Sequence, residues 1–187
     1  MPSSHIRHII LDRDGVINND SEQFIKTPDE WQPIEGSLEA IARLKQAGYL
    51  VGIASNQSGI GRGLFDRTAL NAMHDKMQRQ LLAKLSCHID LIAFCPHTEK
   101  ERCDCRKPLP GLYLQLAQRW NIGLEGIPVI GDSLRDLQAA LAVKARPILV
   151  RTGKGEKTVE QLQEYMETQQ IPVYDDLGQA VEQLLQE

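Results

Sequence analysis

The chain has 187 residues, of which 42% are hydrophobic and 25% are charged, as expected for a globular domain with a sizeable core. Its net charge of −4, from 21 basic and 25 acidic residues, gives no electrostatic reason to expect a nucleic acid or an anionic membrane as a partner. No segment approaches the roughly 20 apolar residues that span a bilayer, and the polar segment 1–8 lacks the apolar centre of a signal peptide. We therefore expect a single domain over residues 1–187, located in the cytoplasm.

Aliphatic strands alternate with helical patterns along the chain. Strands are predicted at residues 6–11, 49–54, 89–94, 128–130 and 147–150, with a last one near Val173. Helices are predicted from Ser37 to Gly48, after Asp66 to about Leu85, from Gly111 to Trp120, over Leu134 to Leu141, near Val159 to Met166 and from Val181 to Leu185. This alternation predicts an α/β fold, a doubly wound parallel sheet with helices on both faces. Ligands bind such sheets at the carboxyl ends of the strands, and polar clusters follow the first four strands here.

Two carboxylates lie two positions apart directly after the first strand, at Asp12 and Asp14. One carboxylate of such a pair can attack phosphorus as a nucleophile, and the other can transfer protons to and from the reacting oxygens. Asp and Gly15 are also common turn residues, so this segment taken alone fits an ordinary turn better than a catalytic site.

The order of the polar motifs resembles the haloacid dehalogenase superfamily over about residues 6 to 150. Its first motif, D-x-D-x-T/V, matches residues 12–16, and the Ser that ends its second strand matches Ser55. Its phosphate-binding lysine matches Lys107, and its late acidic motif matches Asp132, with Asp136 as a candidate second acid. The resemblance implies a Rossmann-like phosphatase domain, and the roughly 20 residues between Asp14 and Gly36 leave no room for a large cap domain.

The same resemblance implies catalytic and magnesium-binding roles. Asp12 would form a covalent phosphoaspartate, and Asp14 would act as general acid and then as general base. Asp12 and Asp132 would bind Mg²⁺ through their side chains, and Asp14 through its backbone carbonyl. Ser55 and Lys107 would donate hydrogen bonds to the transferring phosphoryl oxygens. Asp132 also fits the simpler role of a helix N-cap before Ser133.

Four soft ligands occur together in the loop at residues 95–110, in the pattern C-x-H-x5-C-x-C formed by Cys95, His97, Cys103 and Cys105. Their number and type suit a closed tetrahedral Zn²⁺ site. Such a site would be structural and would stabilise a loop that has no core of its own. The alternative is a set of free thiols and a surface histidine. Cys87 lies outside the pattern and is expected to be a small buried apolar residue.

The zinc loop, together with the segment 55–63, resembles the family of D-glycero-D-manno-heptose-1,7-bisphosphate 7-phosphatases. Histidinol-phosphate phosphatases share this loop and remain an alternative, although their fused form continues into a dehydratase domain for which this chain is expected to have no room. The resemblance implies these substrate contacts: Asp20, Ser21, Glu22, Gln23, Ser55, Asn56, Gln57, Ser58, Arg106 and Lys107. Arg106 offers a bidentate fork to a second, non-reacting phosphate.

The expected partner is a small phosphorylated sugar, and the expected assembly is a monomer. A hypothesis of another class is a binding module, stabilised by zinc, on a phosphatase fold that has lost its activity. That module would hold zinc without turning over substrate. The presence of Asp12, Asp14, Lys107 and Asp132 argues against it. Relatives often carry a lysine where this chain has Ser133, so one positive charge near the predicted metal is absent from that position.

Overall fold

The computed structural model of this chain describes residues 7–165 and 171–187. Six parallel strands form one sheet in the order β3-β2-β1-β4-β5-β6. The strands are β1 (Arg7–Leu11), β2 (Tyr49–Asn56), β3 (Leu91–Cys95), β4 (Pro128–Gly131), β5 (Arg146–Val150) and β6 (Val173–Tyr174). The chain adds strands in one direction from β1 to β3 and in the other from β4 to β6. The switch between β1 and β4 therefore opens a crevice at their carboxyl ends.

Helices cover both faces of this sheet. They are α1 (Ser37–Gln46), α2 (Ser58–Gly61), α3 (Arg67–Leu85), α4 (Gly111–Trp120), α5 (Leu134–Ala142), α6 (Gly155–Tyr165) and α7 (Leu177–Leu184). Ile9 and Leu11 pack in a core cluster with α1, α3 and α7, whereas Ile10 packs in a second cluster with α4 and α5. Alternate residues of β1 thus point to opposite faces. The predicted doubly wound α/β architecture is confirmed.

Several element boundaries differ from prediction, and the helices α6 and α7 begin at Gly155 and Leu177, about four residues before the predicted starts. Strand β2 extends two residues beyond the predicted end, because Ser55 and Asn56 continue its pairing with Phe94 and Cys95 of β3. The short helix α2 and a 3-10 turn at Glu99–Glu101 were not predicted, since single turns carry no hydrophobic periodicity. The predicted strand start at residue 6 and helix end at residue 166 lie outside the described residues.

The segment between β1 and α1 bears on access to the crevice. Its described secondary structure consists of isolated bridges that join Asn18 to Asp14 and to Pro33. The expectation that this segment forms no large cap domain is confirmed. Within residues 7–165 and 171–187, no helix is long and apolar enough to cross a bilayer.

Candidate active site

Lys107 connects the carboxylates that follow β1 and β4. Its Nζ lies 3.0 Å from Oδ1 of Asp12, 2.5 Å from Oδ1 of Asp136 and 2.7 Å from the carbonyl oxygen of Ala54. Burial alone would lower the pKa of this lysine, but the charges of Asp12 and Asp136 raise it above its usual value. Lys107 is therefore a buried, permanently charged cation at the carboxyl edge of the sheet, where the sequence predicts the phosphate-binding lysine.

Three carboxylates converge beside this lysine. Each of Asp12, Asp132 and Asp136 places an oxygen atom within 4.8 Å of the others. Burial raises the pKa of Asp12 to about 7, against the opposing charge of Lys107. Burial, together with the charges of Asp12 and Asp136, raises the pKa of Asp132 to about 8. Such crowding of acids favours a bound cation, and carboxylate oxygens are the ligands that Mg²⁺ prefers.

A close backbone approach makes room for Asp132. Gly15 has a positive φ of 85°, and a Cβ atom at this position would collide with the Asp132 carboxylate. Oδ2 of Asp132 accepts a hydrogen bond of 2.8 Å from the backbone amide of Lys154. Thr152 Oγ1 donates a hydrogen bond of 2.6 Å to the Gly15 carbonyl. The loop after β5 thus contacts both the turn that follows Asp14 and the carboxylate of Asp132. The sequence did not predict this role, because no local pattern in residues 151–155 indicates it.

The Asp14 carboxylate points into a set of donors rather than toward the other three acids. It accepts hydrogen bonds from the Arg13 guanidinium, from Asn18 Nδ2 at 2.8 Å and from Gln57 Nε2 at 2.7 Å. Burial works to raise the pKa of Asp14, but the Arg13 charge and these hydrogen bonds outweigh it and hold the pKa below its ordinary value. Asp14 is thus a carboxylate in the free protein. Arg13 and Asn18 were not among the predicted site residues.

The end of β2 supplies the residues predicted to surround the phosphate. Ser55 is buried, and its Oγ accepts a hydrogen bond of 2.8 Å from Gln57 Nε2. Nδ2 of Asn56 donates a hydrogen bond of 3.0 Å to the carbonyl oxygen of Lys107, and Oδ1 of Asn56 accepts one of 3.1 Å from the Lys107 amide. Ser58 is the buried first residue of α2. In this structure Gln57 and Asn56 orient other site residues, and their predicted substrate contacts remain predictions.

Residues 20–23 form the outer part of the predicted substrate site. Asp20 Oδ2 lies 2.5 Å from Nζ of Lys154, and Asp20 Oδ1 accepts from the amide of Ser21. Ser21 Oγ in turn accepts from the amide of Gln23, while the side chains of Glu22 and Gln23 are exposed. The charge of Lys154 opposes, without reversing, the rise in the pKa of Asp132 that burial causes. Lys154 thus supplies a positive charge in this region, whereas the position at which relatives often carry a lysine is Ser133 in this chain.

Ser133, and not Asp132, is the N-cap of α5. The amide and hydroxyl of Ser133 both donate to Oδ2 of Asp136, at 3.1 and 2.6 Å. The alternative of Asp132 as a helix cap is therefore wrong, since its carboxylate is turned toward Gly15 and Lys154. Asp136 has two tasks, because its other oxygen pairs with Lys107.

The four predicted zinc ligands come together in the loop after β3. Sγ of Cys95 lies 3.2 Å from Sγ of Cys105, 3.6 Å from Sγ of Cys103 and 3.5 Å from Nδ1 of His97. Tetrahedral zinc holds sulfur and nitrogen ligands at roughly 2.0–2.3 Å, which places ligand atoms about 3.5–3.8 Å apart. The cluster therefore has the donor set and nearly the spacing of such a site. Cys87 is buried outside it, as predicted.

Known proteins share this arrangement of strands and motifs. The family model described as HAD-hydrolase-like matches residues 104–180, and the one described as polynucleotide kinase 3 phosphatase matches residues 9–132. A D-glycero-beta-D-manno-heptose-1,7-bisphosphate 7-phosphatase of Bordetella bronchiseptica is 54% identical over 179 residues, which are 96% of this chain and 98% of that protein. One of Pseudomonas aeruginosa is 49% identical, over 95% of this chain and 97% of that protein.

This chain belongs to the D-glycero-beta-D-manno-heptose-1,7-bisphosphate 7-phosphatase family. A crystal structure of the D,D-heptose 1,7-bisphosphate phosphatase from B. bronchiseptica, complexed with magnesium and phosphate, has a TM-score of 0.91 and 52% identity, covering 96% of this chain and 98% of that one. The predicted resemblance to this phosphatase family, and the fold class that goes with it, are confirmed.

Arg106, one of the predicted substrate contacts, lies apart from the cluster of acids and close to Glu99. Its guanidinium lies 3.4 Å from Oε1 of Glu99 and 3.4 Å from the carbonyl oxygen of His97. It lines a cavity that also reaches Lys107. Arg106 therefore lies beside Lys107 and outside the cluster of acids.

Proposed function

We propose that this protein hydrolyses the 7-phosphate of D-glycero-β-D-manno-heptose 1,7-bisphosphate through a phosphoaspartate at Asp12. The observation that carries the proposal is the Lys107 ammonium held between Asp12 and Asp136 at the carboxyl edge of the sheet. The family membership supports the sugar bisphosphate as substrate and favours its β anomer.

In the first half-reaction, a carboxylate oxygen of Asp12 attacks the phosphorus of the 7-phosphate. The bond from phosphorus to the sugar oxygen breaks, and that oxygen takes a proton from Asp14. Asp14 is a carboxylate in the free protein. The arriving phosphoryl group, with about two negative charges, raises the proton affinity of Asp14, which takes up from solvent the proton that it then donates.

In the second half-reaction, Asp14 removes a proton from a water molecule, which attacks the same phosphorus. The bond from phosphorus to Asp12 breaks, inorganic phosphate leaves and Asp12 is a carboxylate again. Lys107 and the hydroxyl of Ser55 donate to the phosphoryl oxygens as their charge redistributes. Gln57 fixes the relative positions of Ser55 and Asp14, since its side-chain amide donates a hydrogen bond to each.

The acids that would hold Mg²⁺ are Asp12 and Asp132, together with the backbone carbonyl of Asp14. The carboxylate oxygens of Asp12 and Asp132 converge within 4.8 Å of each other and of Asp136, and burial raises the pKa of both Asp12 and Asp132, so the donor set fits a divalent cation. When bound, the ion neutralises charge on the transferring group. Cys95, His97, Cys103 and Cys105 would hold one structural Zn²⁺, a separate proposal that rests on their spacing.

The proposal treats residues 1–187 as one catalytic domain, working as a cytoplasmic monomer on a small phosphorylated sugar. The formal net charge of −4 offers no surface-wide attraction for nucleic acid. The absence of a large cap leaves the crevice open to a small substrate.

The test is phosphate release with Mg²⁺ from both anomers of heptose 1,7-bisphosphate, beside histidinol phosphate. We expect the β anomer to have the highest kcat/KM and Asp12→Asn to abolish release without lowering Tm. A preference for histidinol phosphate would assign the same chemistry to another substrate. Zinc binding without release from any of the three would favour the non-catalytic binding module.

A further inference from the structure

A cavity of about 280 Å³ lies beside the catalytic edge and has a strongly cationic lining. Its lining includes four basic residues, Arg102, Arg106, Lys107 and Arg135, and one acidic residue, Glu99. Lys107 belongs to both regions, because it lines the cavity and contacts Asp12. An anion in this cavity would therefore lie next to a phosphate bound at the nucleophile.

Glu99 is the counterion of two arginines from different elements. Its Oε1 lies 3.4 Å from the Arg106 guanidinium, on the zinc loop, and 3.9 Å from that of Arg135, on α5. The side chains of Glu99 and Arg135 are 67% and 52% exposed, and ion pairs so exposed contribute little free energy. The carboxylate is thus a weakly held occupant that a stronger anion can replace.

We propose that Arg135 acts with Arg106 to bind the second, non-reacting phosphate of the substrate, and that Glu99 is the counterion which this phosphate displaces. The inference rests on the proposed bisphosphatase function and adds two residues to it. A phosphate carries about two charges and three strong acceptor oxygens, so it satisfies two guanidinium groups better than one carboxylate does. Glu99 thereby determines specificity, because a ligand without a second anion gains nothing in this cavity.

Two substitutions of opposite sign test the proposal. Arg135→Gln removes a phosphate donor, and we expect the KM for heptose 1,7-bisphosphate to rise about tenfold, equivalent to about 1.4 kcal/mol. Glu99→Gln removes the competing carboxylate, and the same KM should fall about threefold, because the exposed ion pair is weak. In both variants kcat should stay within about twofold of wild type, because the groups around Asp12 are intact.

Matched substrates and variants separate this effect from general damage. Heptose 7-phosphate lacks the second phosphate, and its KM should be unchanged in both variants. Arg79→Gln and Glu125→Gln change exposed charges elsewhere, and they should leave both KM values unchanged. Equal changes for the two substrates, or a KM for the bisphosphate that rises in Glu99→Gln, would overturn the proposal.

A binding measurement without turnover separates failure of this inference from failure of the proposed function. Heptose 1-phosphate keeps only the non-reacting phosphate, and calorimetry gives its Kd for wild type and both variants. We expect Kd to rise about tenfold in Arg135→Gln and to fall about threefold in Glu99→Gln. An unchanged Kd in both would refute the phosphate site, even if wild type hydrolyses the bisphosphate. Absence of hydrolysis would instead refute the proposed function.

Discussion

The side-chain amide of Gln57 donates a hydrogen bond of 2.7 Å to Oδ2 of Asp14. The same nitrogen donates at 2.8 Å to Oγ of Ser55. One buried amide therefore joins the candidate acid-base to the hydroxyl that is expected to face the phosphoryl oxygens. Gln57 follows β2, so the strand end fixes the relative position of two groups that come from different motifs.

Gln57→Leu should lower kcat about tenfold, a loss of about 1.4 kcal/mol in transition-state stabilisation. Leucine fills a similar volume but leaves Asp14 and Ser55 without their shared donor. Steady-state kinetics on the bisphosphate measure the effect, and Tm measured in parallel accounts for any loss of folding. Gln118→Leu, at an exposed position of α4, is the matched control. An unchanged kcat in Gln57→Leu would show that Asp14 and Ser55 need no such support.

Asp136→Ala should destabilise the fold by about 3 kcal/mol, because it leaves the buried charge of Lys107 with a single carboxylate partner. Asp136 and Lys107 are 1% and 2% exposed, so solvent cannot replace the lost oxygen. Urea unfolding at neutral pH measures the change. Activity should fall as well, since Asp136 helps to hold the Nζ of Lys107 beside Asp12.

Ser133→Ala is the control for this substitution. It removes only the hydroxyl that donates to Asp136 at 2.6 Å, and loss of such a helix cap costs about 1 kcal/mol. Equal destabilisation by the two variants would mean that Asp136 serves α5 alone and that Lys107 does not depend on it.

Cys103→Ser should abolish zinc binding and lower Tm. A structural site with four protein ligands loses most of its affinity for zinc when one thiolate is removed. The free energy of metal binding contributes directly to the folding of the loop. Metal analysis and thermal unfolding measure the two effects, and a strong chelator should lower the Tm of wild type in the same way. Cys87→Ser, outside the cluster, should keep a full equivalent of zinc. A zinc-replete Cys103→Ser variant would contradict the ligand assignment.

Local and periodic signals predicted the scaffold, but contacts across the fold produced the details of the site. The helix after Asp66 was predicted from a cap residue, and the Asp66 side chain does accept a hydrogen bond from the Ala69 amide. The approach of Lys154 to Asp132 spans 22 positions of sequence, and no local pattern encodes it. Arg13 was not predicted as a site residue, yet it is fully buried against Asp14.

Buried His74 on α3 should make the stability of the fold depend on pH. Burial lowers its pKa from 6.5 to about 4, with the Arg13 charge acting in the same direction and Asp14 opposing. Because the folded pKa lies below the unfolded one, the neutral ring contributes stability that is complete above about pH 6.5 and is lost as the pH falls toward 4. At pH 5 this loss amounts to about 2 kcal/mol relative to pH 8.

Urea unfolding of wild type and His74→Gln at pH 8 and pH 5 isolates this contribution, because glutamine cannot take up the proton. We expect the free energy of unfolding at pH 8, minus that at pH 5, to be lower in His74→Gln than in wild type by about 2 kcal/mol. His88→Gln changes a histidine whose side chain is 64% exposed, and it serves as the control for removing a histidine as such. If His74→Gln kept the full pH dependence of wild type, the destabilising proton would have to bind a group other than His74. Asp12 and Asp132 are not such groups, because their raised pKa values in the folded protein make protonation stabilising.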